Sequence, residues 1–282
     1  MRVVSRHDSG RTDIDRMVEE STGTLSVIPE LIETDPGSSM QFAVAMAETT
    51  LKFQLVDDPQ AERVETRRTA RLAAQLNSAL FQLAGTASGT VEPVGYESGV
   101  LDLPTTGPTS YTHLRAWLNA YWWSQITRNS VAENVLAEFR LDDLAEDGQF
   151  DDYWCRMFEA LRGFDSGDHD WPGSVSAALE SIDHPTMSTR EESTLLALDL
   201  FGMLSAIGDQ DEFSTQLERA LESHRAYWSA TAERRADPVG FASLPILGLT
   251  AKASYEGMRI EVESDYLPRG LLENPRWMFD LA

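Results

Sequence analysis

The sequence predicts a mainly α protein: a single multi-helix domain with a small β-hairpin excursion and one short C-terminal strand. Apolar residues recur every three or four positions through most of the chain, which is the period of an amphipathic helix. Glycine and proline cluster at residues 85–108 and interrupt that period. At residues 258–263 apolar and charged residues alternate, as they do in a strand. The 282 residues are enough to bury a sizeable core.

Three helices are predicted before the excursion. The first apolar stripe covers residues 14–32, and we expect Gly23 or Pro29 to break or bend it. The second covers residues 40–55, between two turn sequences that contain proline and aspartate. The third covers residues 64–83 and predicts a long helix.

The excursion contains two short β-prone runs, residues 91–94 and 100–103, which predict a small hairpin. Pro93 disfavours a central strand, so an irregular excursion is the alternative interpretation. We expect residues 1–282 to form one domain. If that domain consists of two subdomains, they would meet near residues 85–108.

The second half of the chain is again predicted to be helical, with loops at residues 141–152 and 163–173. Its apolar stripes predict helices at residues 108–126, 153–162, 193–208, 211–228 and 239–255. After the predicted strand, Ser264 and Asp265 are expected to cap a last short helix with Pro268 in its first turn.

Three carboxylates occupy every second position, Glu261 and Glu263 on the predicted C-terminal strand and Asp265 just after it, and Tyr266 follows them. In an extended chain Glu261 and Glu263 share one face about 6.6 Å apart, a spacing that suits paired catalytic carboxylates. No other feature of the sequence places a substrate or a third ligand beside them, and Arg259 shares their face. We therefore expect an acidic edge that, with Tyr266, contacts a partner protein.

The helix at residues 108–126 carries Trp117, Trp122 and Trp123. So much aromatic area predicts a central helix with Trp117 in the core. One of Trp122 and Trp123 has to face away from the main stripe, and it is a second candidate for a partner interface, where tryptophan is enriched. His224 lies on an apolar helical face and is expected in the core with a local hydrogen bond.

The chain is strongly acidic, with 46 Asp and Glu against 23 Lys and Arg and a net charge of −23. This balance argues against direct nucleic-acid binding, which needs basic surface. It fits a halophilic host or a basic protein partner, and the even spread of acidic residues favours the host. No apolar run approaches the ~20 residues of a membrane span, and the N-terminus lacks the apolar core of a signal peptide. With Cys155 the single cysteine, we expect a cytoplasmic protein.

The common catalytic signatures are missing from the sequence: the P-loop, G-x-G-x-x-G, H-E-x-x-H and G-x-S-x-G. We therefore assign no catalytic residue, no cofactor and no metal ligand. A rarer enzyme class stays open, namely an all-helical, metal-dependent enzyme that uses the carboxylates of the C-terminal segment or of the acidic middle.

Two stretches carry a family resemblance: "LPTTGPTSYTHLRAWLNAYWWSQITR" at residues 103–128, and residues 224–272, which contain "HRAYW", "GLTAKASYEGM" and "IEVESDYLP". Together they resemble the family 49 immunity proteins of bacterial polymorphic toxin systems. The resemblance implies a mostly helical, non-catalytic protein that binds a cognate toxin domain and blocks its active site. A toxin that attacks nucleic acid with a basic cleft would suit the acidic chain. A helical interaction scaffold is a further alternative, and a homodimer is left open.

Overall fold

The computed structural model describes residues 2–11, 13–145, 152–168, 170–181, 191–273 and 275–278. Its helices are α1 (Ile14–Leu25), α2 (Ile28–Thr34), α3 (Pro36–Asp57), α4 (Val64–Gly85), α5 (Leu114–Thr127), α6 (Ser130–Glu138), α7 (Asp152–Ser166), α8 (Trp171–Ser181), α9 (Glu191–Ser205), α10 (Gln210–Ser229), α11 (Ala232–Ala236), α12 (Leu244–Tyr255) and α13 (Arg269–Leu272). Its strands are β1 (Arg2–Val3), β2 (Val91–Tyr96), β3 (Gly99–Pro104) and β4 (Val262–Glu263). Single 3-10 turns occur at Leu141–Asp143, Pro238–Phe241 and Pro275–Met278. The fold is mainly α, as the sequence predicts.

The first predicted stripe is two helices, because the chain turns between Leu25 and Ile28. Pro29 lies in the first turn of α2, where its missing N–H leaves no hydrogen bond unmade. Gly23 lies inside α1 and does not end it. The Asp35 side chain then accepts a hydrogen bond from the backbone N–H of Ser38 and starts α3.

The predicted hairpin is present: β2 and β3 pair in antiparallel register, with Pro93 opposite Asp102. Pro93 is tolerated because both strands of a two-stranded sheet are edge strands. Val94 and Leu103 are buried, and β2 packs against α4. The excursion therefore folds back onto the helices instead of leading away from them.

Three predicted boundaries in the second half are wrong. Helix α5 begins at Leu114, not at residue 108, and the His113 Nδ1 accepts a hydrogen bond from the Ala116 N–H there. Helix α12 begins at Leu244, and a separate 3-10 turn holds Pro238–Phe241. The last short helix follows Pro268, and neither Ser264 nor Asp265 caps it.

Helices α6, α8 and the short α11 are absent from the prediction. In α6 only Ala132 and Leu136 are buried, so its apolar stripe is too short to detect. Helix α8 includes Pro172 and Gly173, which the sequence interpretation placed in a loop. Within the predicted acidic loop, residues 141–145 contain the 3-10 turn, and residues 146–151 lie outside the described part.

Helix α5 occupies the centre of the fold. It packs against α4, α6, α7 and α12, and its buried side chains form part of a core that extends from Val4 to Trp277. The crossing with α12 is close: a Cβ placed on Gly248 would lie 2.9 Å from the Trp122 Cε3 atom. None of the helices in the described ranges has the length and apolarity that crossing a bilayer requires.

The predicted C-terminal strand pairs with the first residues of the chain. Strands β1 and β4 are parallel, with Arg2 opposite Val262. Beside this pair, the Tyr266 hydroxyl accepts a hydrogen bond from the backbone N–H of His7 at 3.0 Å, and the His7 Nδ1 lies 2.7 Å from the same oxygen. The N-terminal segment is thus held against the C-terminal one.

Candidate partner-binding cleft

The three predicted edge carboxylates lie at the surface, and each has a partner within the chain. Glu261 forms an ion pair with Arg259 at 3.2 Å, and Glu263 forms one with Arg269 at 3.2 Å. Asp265 accepts a hydrogen bond from the Gln60 side chain at 2.6 Å. These internal partners reduce the free charge that the edge offers to a partner protein.

The three aromatic candidates are buried: Tyr266 is 0%, Trp122 1% and Trp123 3% exposed. The prediction that one tryptophan faces outward is wrong, because α5 is surrounded by other helices. Trp122 packs against Gly248 of α12, and the Trp123 Nε1–H donates to Glu48 on α3 at 3.4 Å. These side chains belong to the core of the isolated chain.

His224 is partly buried and has the predicted local hydrogen bond, since its Nε2–H donates to the Gly240 carbonyl at 2.9 Å. Burial lowers the pKa of His224 to about 4. Asp199 lines the same small cavity, and burial raises the pKa of its carboxyl to about 6. As the pH falls, protonation of His224 therefore favours the unfolded chain, whereas protonation of Asp199 favours the folded chain.

We expect His224→Gln to reduce the loss of stability between pH 7 and pH 5 by about 2 kcal/mol. The unfolded His224, with its pKa near 6.5, takes up a proton before the folded one, so acid favours unfolding. Asp199→Asn should increase the same loss by about 1 kcal/mol, because the folded carboxyl takes up its proton first. Urea unfolding at both pH values measures this. Equal pH dependence in wild type and both variants would contradict it.

A cleft with a volume of about 680 Å³ opens between α5, α6, α7 and α12. Each helix contributes polar side chains to it: Tyr121 and Gln125 from α5, Glu133 from α6, Asp165 from α7 and Lys252 from α12. None of these residues was singled out by the sequence analysis. The cleft is distinct from the strand edge at β4, none of whose carboxylates lines it.

Lys252 lies at the base of the cleft and is only 5% exposed. Its ammonium donates to the Asp165 carboxylate and lies 4.8 Å from the centre of the Phe164 ring. Nearby, the Gln125 side chain donates to Glu133 at 3.2 Å. Burial, and then the charge of Asp165, raise the pKa of Glu133, and Lys252 offsets part of this effect.

Tyr121 is 3% exposed, and its hydroxyl has no hydrogen-bond partner of good geometry among the described residues. Its ring stacks on Trp117 at 5.3 Å. Burial raises the pKa of Tyr121 well above its usual value, and the cleft carboxylates, with Asp165 first among them, raise it further. Tyr121 therefore lines the same cleft as Asp165 and interacts with it, but its hydroxyl makes no hydrogen bond of good geometry with a described residue.

Acidic side chains outnumber basic ones in the cleft lining, five to two. The three carboxylates beyond Glu133 and Asp165 belong to Glu159, Asp168 and Glu256. The second cation, Arg162, is occupied, since it donates to the Ala137 carbonyl at 3.0 Å. The arrangement suits a cationic group and disfavours an anion.

One signal in the sequence pointed to this cleft. Lys252 is one of two lysines in the chain and lies in a nearly all-apolar helix, where a charge needs a partner. Its partner Asp165 is distant in sequence, and Glu133 lies in a helix that the sequence did not predict. The site therefore depends on tertiary contacts.

The family model described as immunity protein 49 matches residues 58–271. The chain belongs to the immunity protein 49 family. The matched range includes every helix that lines the cleft, whereas α1, α2 and α3 precede it. Neither the curated proteins nor the solved structures gave a match to this immunity protein.

The metal-dependent alternative has no set of ligands in the described ranges. No group of three or more His, Cys, Asp or Glu side chains there is arranged to hold a metal ion. His169 and His184, two of the five histidines, lie outside those ranges. The cleft of this immunity protein presents hydrogen-bond acceptors and negative charge.

Proposed function

We propose that this immunity protein neutralises a cognate toxin in the cytoplasm by direct stoichiometric binding and without catalysis. The observation that carries the proposal is the family match over residues 58–271. The cleft supports it as a binding surface, because it brings five carboxylates to one place on the fold.

We propose further that the toxin domain is basic and attacks nucleic acid. A domain that binds phosphates carries a surface rich in Lys and Arg. The net charge of −23 attracts such a surface and increases the association rate. The acidic edge at Glu261, Glu263 and Asp265 is a second surface for the same partner, although its carboxylates already have partners within the chain.

The test uses the toxin domain encoded beside this protein. We expect a one-to-one complex by light scattering and complete loss of toxin activity at equimolar protein. The association rate should fall roughly tenfold or more between low and high salt, because steering is screened. Light scattering of the protein alone also shows whether it is a homodimer.

Two outcomes would contradict the proposal. One is the absence of any complex at the salinity of the host. The other is inactivation of excess toxin by substoichiometric protein, which would indicate an enzyme. Charge reversal by Glu261→Arg with Glu263→Arg tests the edge: an unchanged affinity would remove it from the interface.

A further inference from the structure

We propose that the cleft between α5, α6, α7 and α12 binds one arginine side chain of the toxin. The identity of the partner rests on the proposed function, whereas the chemistry of the bound group is argued from the cleft alone. A buried hydroxyl without a well-formed hydrogen bond, an uneven charge balance and the shape of the opening all point to this group.

The hydroxyl is that of Tyr121, which is buried and makes no hydrogen bond of good geometry with a described residue, although it interacts with the Asp165 carboxylate. The charges that act on it come from cleft side chains: Asp165, Glu133 and Glu256. Tyr121 lines the cleft together with these carboxylates. A buried hydroxyl of this kind normally has a partner, and a ligand N–H would supply one.

The charge balance at the base of the cleft is short of one cation. Lys252 bonds Asp165, while Glu133 receives a hydrogen bond from the neutral Gln125. Glu133 and Asp165 repel each other, and this repulsion adds to burial in raising the pKa of Glu133. A second cation beside Glu133 would relieve the repulsion.

The positions of the acceptors favour a guanidinium over an ammonium. Tyr121 and Glu133 line the cleft from different helices, and a planar group with donors on several edges is suited to acceptors on more than one side. At the mouth of the cleft, Tyr255 is 66% exposed and already has the Arg128 guanidinium 5.6 Å from its ring centre. The opening of about 680 Å³ admits a long side chain.

The first experiment needs no toxin. The full chain is titrated by calorimetry at low salt with N-acetyl-arginine amide, and with the lysine and citrulline amides as probes of charge and shape. We expect the arginine amide to bind about tenfold more tightly than the citrulline amide, which has the same shape without the charge. Citrulline binding of equal affinity would overturn the inference, and equal lysine binding would overturn the guanidinium assignment.

Variants locate the binding. Glu133→Gln removes the charge and keeps an acceptor for Gln125, and Tyr121→Phe removes only the hydroxyl. Each should weaken arginine amide binding by about fivefold or more. The control is Glu30→Gln, an exposed position on α2, a helix that packs against α3 and β3 and does not line the cleft. Glu30→Gln should bind the arginine amide as tightly as wild type does. Equal affinity of wild type and all three variants for the arginine amide would contradict the site.

The toxin complex separates this inference from the proposed function. If the toxin binds wild type, Glu133→Gln and Tyr121→Phe with one affinity, the arginine site is wrong and the proposed function stands. If the arginine amide binds as expected and the toxin does not bind at all, the proposed function is wrong and the site stands. Loss of toxin affinity in both variants, but not in Glu30→Gln, supports both.

Discussion

Asp165→Asn is expected to lower the free energy of unfolding by about 3 kcal/mol at pH 7. The substitution leaves the Lys252 ammonium without its charged partner in a place where the side chain is only 6% exposed. A buried unpaired charge is among the most destabilising changes in a protein. Glu133 remains nearby and limits the cost, because it also interacts with Lys252.

The reverse change should cost less. Lys252→Met leaves Asp165, whose side chain is 36% exposed and can be hydrated, so we expect a loss of about 1 kcal/mol. The double variant should be close to Lys252→Met alone, because no buried ammonium remains. Urea unfolding of the four proteins measures this. Equal single costs that add in the double variant would show that the pair is not coupled.

Gly248→Ala is expected to lower the free energy of unfolding by about 2 kcal/mol. The added Cβ would lie 2.9 Å from the Trp122 Cε3 atom, 3.0 Å from its Cβ and 3.1 Å from its Cα. The backbone of α5 cannot move away easily, because α4, α6 and α7 contact it from other directions. The two central helices would therefore have to separate.

The matched control for this prediction is Gly23→Ala. Gly23 is an exposed helical position, and a Cβ there would meet no atom within 4 Å. The same chemical change should raise the free energy of unfolding by about 0.5–1 kcal/mol, because alanine favours the helix. Thermal unfolding of both variants is the measurement. A destabilised Gly23→Ala or an unaffected Gly248→Ala would contradict the packing argument.

The sequence predicted those parts of the fold that have strong local signals. Helices α3 and α4 each bury a long apolar stripe, and Pro29 marked the break before α2. Helix α6 was not predicted because its burial depends on neighbours that only the folded chain supplies. Helix α8 was not predicted because Pro172 and Gly173 favour a loop locally, although tertiary packing keeps them helical.

In the candidate sites, too, the sequence predicted what has a local signal and missed what depends on tertiary contacts. The acidic alternation at Glu261 and Glu263 was visible in sequence, but the ion pairs with Arg259 and Arg269 were not. Tyr266 was expected at a surface, yet its hydroxyl holds the N-terminal segment through His7. The cleft joins four helices, so no local pattern contains it.

The pairing of β1 with β4 has a consequence for the timing of biosynthesis. Arg2 and Val262 are separated by about 260 positions, so Arg2 cannot pair until translation has reached Val262. At about 5–20 residues per second this delay is roughly 13–50 seconds. Lys252 also emerges near the end of that interval, so the cleft is incomplete while most of the chain is already outside. A newly made copy therefore gains its full binding surface only when translation of α12 is over.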